Sequence, residues 1–336
     1  MRRTLLVGLA LGLALATAPA ARGADAIFKL DDPRGDDHGD GRLLYPNRDD
    51  LVPGDLDLLS FAARAVKGGT EFEAVFARPV HAPGDRTIDI GGGSIADIAR
   101  FGFYTFNVEV YIDTDRLPGS GRTDTLPGRR LAIAPEYAWE RAVALVPRPY
   151  QARDGLKTLE ARREKRQLKE SAGRVTTAQS DEIKAQAARA VEGLFFFPTR
   201  IKVAGPKIRF FVPAEFLGGP ARPDWAYVVL VTGADVEQKF DVMSALGVTK
   251  EPPPQLMVLP IGLGRFQDQF GGGREDDLDL QSPVVDMIVP AGTTQEQLLQ
   301  RTDPVAGTFA QVPGIVPDKA AEPVKERRPP RTPRVF

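Results

Sequence analysis

Phe106-Asn107-Val108-Glu109-Val110-Tyr111-Ile112 is the stretch on which the fold turns. Phe106, Val108, Val110 and Ile112 recur at every second position opposite Asn107 and Glu109, the period of a strand with one buried face. A helix would need apolar residues three and four apart, and this run does not supply them. Upstream, Phe72, Ala74 and Phe76 share a face opposite Glu71 and Glu73. Downstream, Arg141 to Val146, Arg200 to Val203, Lys207 to Val212, Ala226 to Val231 and Val284 to Val289 read as further strands. Pro and Gly punctuate nearly every junction, as turns between antiparallel strands require. No regular helix alternates with the strands, so the pattern predicts a mainly β fold, an antiparallel β-sandwich, and not a parallel α/β sheet.

One segment breaks this pattern. Lys157 to Glu192 is rich in Lys, Arg, Glu, Gln and Ala, with few large apolar residues and glycines at Gly173 and Gly193. It predicts two mainly solvated helices inserted between strands over about 156–193, a hairpin lying on the sandwich or an arm that docks a protein partner. The two ends differ from the middle. Met1-Arg2-Arg3, the apolar run from Leu5 to Ala16 and the small residues around Ala18-Pro19-Ala20 have the order of a secretory signal peptide over residues 1–23. The expected protein is therefore exported, to the periplasm or beyond the cell. The apolar run is too short for a membrane-spanning helix, which takes roughly 20 residues, and no later run is longer, so no transmembrane segment is expected. Pro313 to Phe336, rich in Pro, Lys and Arg, predicts a disordered tail.

Composition narrows the chemistry. The chain has no cysteine, which removes disulfides, thiolate metal sites and thiol nucleophiles. Its 44 basic and 45 acidic residues cancel, so no global field recruits nucleic acid. With only His38 and His81, a zinc triad of histidines is impossible. Gly92-Gly93-Ser94-Ile95-Ala96 lacks the closing glycine of a nucleophile elbow, and no Gly-Lys-Ser or Gly-Lys-Thr follows to make a phosphate loop, so Gly91 to Gly93 reads as a flexible turn. A glycosidase needs only two spaced carboxylates, and nothing singles out such a pair.

The strongest functional signal is the Asp- and Gly-rich stretch from Asp31 to Asp57, read as loop. Asp32-Pro33-Arg34-Gly35-Asp36-Asp37-His38-Gly39-Asp40 could fold several carboxylates and carbonyls round a calcium ion. It is not an EF-hand, because counting from Asp36 puts His38 at the third place and Asn47 where the bidentate Glu belongs. The competing reading is a solvated turn whose aspartates cap backbone N–H groups. Two other acidic clusters, Asp113-Thr114-Asp115 and Glu275-Asp276-Asp277-Leu278-Asp279, read as exposed turns able to lend ligands. For sugar binding, Trp139, Trp225 and Tyr45 are candidate stacking surfaces, although Trp225 opens the apolar run Trp-Ala-Tyr-Val-Val-Leu-Val and Trp139 sits in a comparable setting, so both also suit the core.

The order of these motifs resembles the C-terminal binding-module-like domain of glucodextranases, also described as DOMON-like. The resemblance is carried by Asp32-Pro33-Arg34-Gly35-Asp36-Asp37-His38-Gly39, Tyr45-Pro46, Gly54-Asp55-Leu56-Asp57-Leu58 and Phe61. It continues through Val110-Tyr111-Ile112-Asp113, Ala138-Trp139-Glu140-Arg141-Ala142, Trp225-Ala226-Tyr227, Phe270-Gly271-Gly272-Gly273, Val285-Asp286-Met287-Ile288-Val289-Pro290 and Thr294-Gln295-Glu296-Gln297-Leu298-Leu299. It implies one domain over about 27–304, similar to family-nine carbohydrate-binding modules, noncatalytic, and holding a polysaccharide or a cell-envelope glycan. Calcium at the N-terminal aspartates fits such a sandwich. The expectation is a calcium-supported carbohydrate- or cell-surface-binding protein with Asp32, Asp36, Asp37, Asp40 and Asp57 near the ion. The alternative is an envelope scaffold without glycan affinity, which meets a partner through the insertion or the tail; a carboxylate-based glycosidase ranks last.

Overall fold

Two five-stranded sheets face each other across a core of aliphatic and aromatic side chains. A computed structural model describes residues 26–83, 95, 99–236 and 255–317. The first sheet is ordered β1 (Ala26–Asp31), β2 (Leu58–Val66), β3 (Gly69–Phe76), β9 (Lys207–Pro213) and β8 (Ile201–Ala204). In the second the order is β11 (Val284–Met287), β10 (Ala226–Gly233), β4 (Phe106–Asp113), β6 (Arg141–Leu145) and β7 (Phe195–Phe196). All pairings in these sheets are antiparallel except β6 with β7. A small parallel pair, β5 (Leu131–Ile133) with β12 (Ala310–Val312), lies apart from both. The signal-peptide segment, the Gly91 to Gly93 turn and most of the C-terminal tail lie outside the described residues.

The alternation in the sequence places the inner faces. Phe28, Phe61, Phe72, Ala74, Phe76 and Phe210 from the first sheet meet Val108, Val110, Ile112, Tyr227, Val229 and Val231 from the second in one cluster. Burying each large side chain contributes about 1.5–3 kcal/mol. The outer face of the first sheet is polar, with Glu73 held by Arg209 at 2.5 Å and Arg64 at 3.5 Å.

The second sheet departs from the half-buried expectation: β4 and β10 are buried along their whole length. Its outer face carries Tyr111, Ala142, Ala144, Val228 and Leu230, which pack under Trp139, Leu126, Leu156, Val191 and Val312. A second layer formed by β5, β12 and three helices therefore covers this sheet, and the helices are α1 (Pro149–Ala172), α2 (Thr177–Leu194) and, beyond the short α3 (Ala214–Leu217), α4 (Gln295–Leu299). That is why Glu109 sits at 1 % exposure. It survives there because the fully buried Arg129 donates to it at 2.6 Å and the Tyr111 hydroxyl donates at 2.6 Å.

The helical insertion begins at Pro149, earlier than its polar composition suggests, since the first turns are the part that packs. Pro149, Ala152 and Leu156 of α1 and Ile183, Ala187 and Val191 of α2 are buried, whereas nothing between them in sequence is. Thr176 starts α2 with a capping box, its hydroxyl accepting from Gln179 N–H. The hairpin thus stands on the sandwich by its base instead of lying along it. At the other end, the segment read as tail starts inside the fold, because Ile315 exchanges two backbone hydrogen bonds with Tyr227, at 2.8 and 2.9 Å.

Candidate functional site

The loop between β1 and β2 spans residues 32–57, and its buried polar groups are accounted for with one exception. Gly39 adopts φ +60°, and a Cβ there would stand 2.7 Å from the Val284 carbonyl oxygen, so only glycine lets the loop lie against β11. Gly39 N–H donates to Val285 at 2.9 Å. Gln295, buried at the start of α4, donates its amide to the carbonyls of Asp36, Gly39 and Val285. The loop is therefore fixed to the second sheet near the point where β1 ends in the first.

Irregular pairing flanks that point on both sides. Thr232 pairs with Val284 and Val231 with Asp286, leaving Val285 as an extra residue in β11. Likewise Leu58 pairs with Phe76 and Ser60 with Val75, leaving Leu59 extra in β2. Bulges of this kind interrupt the two-residue alternation and re-aim side chains. Val285 joins the inter-sheet core, while the Asp286 carboxylate reaches across to accept from Leu58 N–H at 2.6 Å and from Met287 N–H at 2.7 Å.

The exception in the loop is a knot of carboxylates. Asp32, Asp36 and Asp286 each present an oxygen within 4.8 Å of the others. Both Asp32 oxygens, Asp36 Oδ1 and Asp57 Oδ1 are buried without a hydrogen-bond donor. Asp57 uses its other oxygen to accept from Gly35 N–H at 2.9 Å. Burial, then the neighbouring charge of Asp36, pushes the Asp32 carboxyl up to about 8. Burial likewise pushes Asp36 up to about 6, with Asp57 adding to the shift. Asp286 moves well upward by burial and then by repulsion from Asp32 and Asp36, and Asp57 moves upward by burial and then by Asp37. Carboxylates removed from water without donors cost several kcal/mol each unless a proton or a cation compensates them. The donor set is all oxygen, which suits a hard divalent cation such as calcium, and Asp32, Asp36 and Asp286, with Asp57 alongside, are the residues that would hold it.

The structure divides the aspartates picked out from the sequence. Asp32, Asp36 and Asp57 come together, but Asp37 and Asp40 turn to other tasks. Asp37 accepts from the Tyr45 hydroxyl and from Gly54 N–H at 2.7 Å. Asp40 is saturated by Arg42, through its backbone N–H at 3.0 Å and its guanidinium at 2.6 and 2.9 Å, and by Gln281 at 3.1 Å. Close spacing in a chain does not aim side chains at one point. Asp286 is absent from the sequence-based set because it lies far from the acidic loop in sequence; its signal is a lone acid inside the apolar run Val284-Val285-Asp286-Met287-Ile288.

The other acidic clusters carry their own donors. Asp113, Asp115 and Glu140 gather, but Arg116, Ser120 and Thr114 with its backbone N–H occupy them. In the second cluster Asp277 pairs with Arg42 at 2.9 Å.

The aromatic candidates change role. Trp139 is 1 % exposed, packs on Tyr111 and Phe195, and donates its indole N–H to Asp124 at 2.9 Å. Trp225 is also buried within the inter-sheet core. Neither ring offers a face to a sugar, because the second layer covers one and the sandwich closes over the other. Tyr45 is buried too, edge-on to Phe270, although it borders a cavity of about 470 Å³ beside the acidic loop.

The two sheets form a sandwich with a buried knot of carboxylates at its edge, and no helix among the described residues is long and apolar enough to cross a membrane. The family model of the glucodextranase C-terminal binding-module, SLH-like, matches residues 27–314. The chain belongs to this family. No curated protein matches it.

Proposed function

We propose that this chain is an exported, noncatalytic carbohydrate- or cell-surface-binding protein whose N-terminal loop is held in its binding shape by a calcium ion. The observation that carries the reading is a set of four buried carboxylate oxygens without donors, from Asp32, Asp36 and Asp57, with an oxygen of Asp32 and one of Asp36 within 4.8 Å of one on Asp286. Membership in a binding-module family supports a binding role over a catalytic one. The mechanism is reversible: the ion neutralises the carboxylates, the loop stays docked on β11, and the surface beside it keeps one shape for a glycan. Binding to N but not to U also stabilises the fold by mass action.

The test is a glycan-array screen of the full chain in calcium and again in chelator, with polysaccharides checked for new reducing ends. Calcium-dependent retention without cleavage supports the reading. Cleavage refutes the noncatalytic assignment, and no retention on any glycan refutes the carbohydrate assignment.

A further inference from the structure

Basic and acidic residues nearly cancel over the whole chain, but they are not spread evenly along it. In the outer half of α1, Arg162, Arg163, Lys165, Arg166 and Lys169 crowd one stretch in which Glu164 is the single acid. Positions i, i+3, i+4 and i+7 of a helix lie on one face, so Arg162, Lys165, Arg166 and Lys169 form a single stripe. All four are exposed. The half-buried positions of the same stretch, Ala161, Glu164 and Leu168, recur at i, i+3 and i+7 on another face. At 1.5 Å per residue the stripe is about 10 Å long, with a cation at each turn.

Three of these cations have no acid among the described residues to meet. The buried positions of α1 end at Leu156, and the contacts of Lys157 with Glu192 at 2.5 Å and of Lys165 with Ser180 at 3.5 Å show α2 running back alongside it. The acids that α2 carries there are spent within that helix, Asp181 on Lys184 at 3.0 Å and Glu182 on Arg189 at 3.2 Å. Glu160 of α1 turns to Arg122 at 3.9 Å. The side chains of Arg162 and Lys169 make no ion pair or hydrogen bond to another described residue. Lys165 reaches only the Ser180 hydroxyl, which leaves its charge in place.

Short runs rich in Lys and Arg take nucleic acids and anionic glycans, and the surroundings of the run decide between partners. Single-stranded nucleic acid is gripped by aromatic rings on which its bases stack, and no aromatic residue lies between Glu160 and Leu194. A helix that lies on an anionic membrane buries an apolar face in it, and the exposed residues from Arg162 to Ala172 include no large apolar one. A polyuronate needs neither feature. It carries one carboxylate per sugar along a narrow chain, and guanidinium forks and ammonium heads bind carboxylates through charge-assisted hydrogen bonds. We propose that the stripe of Arg162, Lys165, Arg166 and Lys169 on α1 is a docking surface for an acidic polysaccharide of the polyuronate class. It shares no residue with the calcium-held loop, so either can fail without the other.

The test titrates a hexamer of galacturonic acid into the full chain by calorimetry at pH 6, in chelator so that no divalent cation bridges protein and sugar. The hexamer should bind, and its affinity should fall about tenfold or more between 50 and 200 mM salt, as counterion release requires. Kd should rise at least tenfold in the triple variant Arg162→Gln, Lys165→Gln, Lys169→Gln, whose melting temperature should match the parent because glutamine is a good helix former at exposed positions. The double variant Lys184→Gln, Arg189→Gln, which removes paired cations from α2, should change Kd less than twofold. Failure of the parent to bind the hexamer, an unchanged Kd in the triple variant, or an equal loss in both variants would overturn the stripe as the docking surface. Tighter binding of a thymidine hexanucleotide, or of phosphatidylglycerol vesicles, than of the hexamer would overturn the polysaccharide as its partner.

Discussion

Asp32, directly after β1, and Asp286, in β11, bring carboxylate oxygens within 4.8 Å of each other although β1 and β11 lie in different sheets. Two acids so placed repel when both are ionised, so the carboxylate knot works against the sandwich unless something positive sits between them. Replacing Asp286 by Asn removes one charge and keeps an acceptor oxygen for only one of the N–H groups of Leu58 and Met287, which bond to different oxygens of the carboxylate. Asp286→Asn should lose the rise in melting temperature that calcium gives the parent over chelator. Thermal melts of both proteins in the two buffers check this; a variant that still gains stability from calcium would show that Asp286 is not a ligand.

The same repulsion sets a pH dependence. Folded-state values of about 8 for Asp32 and about 6 for Asp36 stand above the ordinary 3.8. The folded protein without a cation then binds more protons than the unfolded chain between about pH 4 and 8, so its stability falls as pH rises through that window. Melting temperature in chelator should drop from pH 5 to pH 8. In calcium the decline should shrink, because the ion takes over from the proton and competes best when the carboxyls are ionised. A chelator curve that is flat or rising would contradict the buried knot.

Loop docking can be weakened without touching a carboxylate. Gly39→Ala forces a Cβ to 2.7 Å from Val284 O at φ +60°, and strain of this kind costs on the order of 1–3 kcal/mol. Gln295→Ala removes the side-chain amide that donates to the carbonyls of Asp36, Gly39 and Val285, a loss of about 1–3 kcal/mol. Both variants should also bind calcium more weakly than the parent, as read by the chelator concentration that releases the ion. Unchanged release in both would mean that the loop's attachment to β11 does not shape the site.

Under the second layer, Arg129 and Glu109 form a pair whose members cannot be removed singly. Arg129→Met should destabilise the fold by about 3–5 kcal/mol in urea, since Glu109 is then left buried without its counter-charge. Combining it with Glu109→Leu should recover part of that loss, apart from the Tyr111 hydroxyl, which donates to Glu109, and the Leu256 carbonyl, which accepts from Arg129. Two single losses that simply add would argue against a coupled pair.

Much of this was legible from residues alone. Alternation in Phe106 to Ile112 located β4 and its inner face, because side chains in a strand repeat every second residue whatever lies beyond them. The same alternation misjudged the other face. Asn107 and Glu109 look solvated by type, yet Asn107 donates to Thr232 and Met257 and Glu109 receives Arg129, partners that come from distant segments. Strand β2 passed unremarked since Ala62, Ala63 and Ala65 blur its period.

The site was half legible for a related reason. Density of aspartate pointed to the loop and to Asp32, Asp36 and Asp57, but local density carries no information on direction. Asp37 and Asp40 were distinguished only by Tyr45, Gly54, Arg42 and Gln281, and Asp286 was delivered by a bulge that no periodicity reveals.

Calorimetric titration of calcium into the chelator-treated full chain, alongside Asp32→Asn and Asp286→Asn, tests the central claim most directly. One ion should bind per parent chain, with saturable heat that both variants lose while keeping their far-ultraviolet circular dichroism. Absence of binding to the parent, or equal binding to all three proteins, would contradict a calcium ion at the junction of β1 and β11.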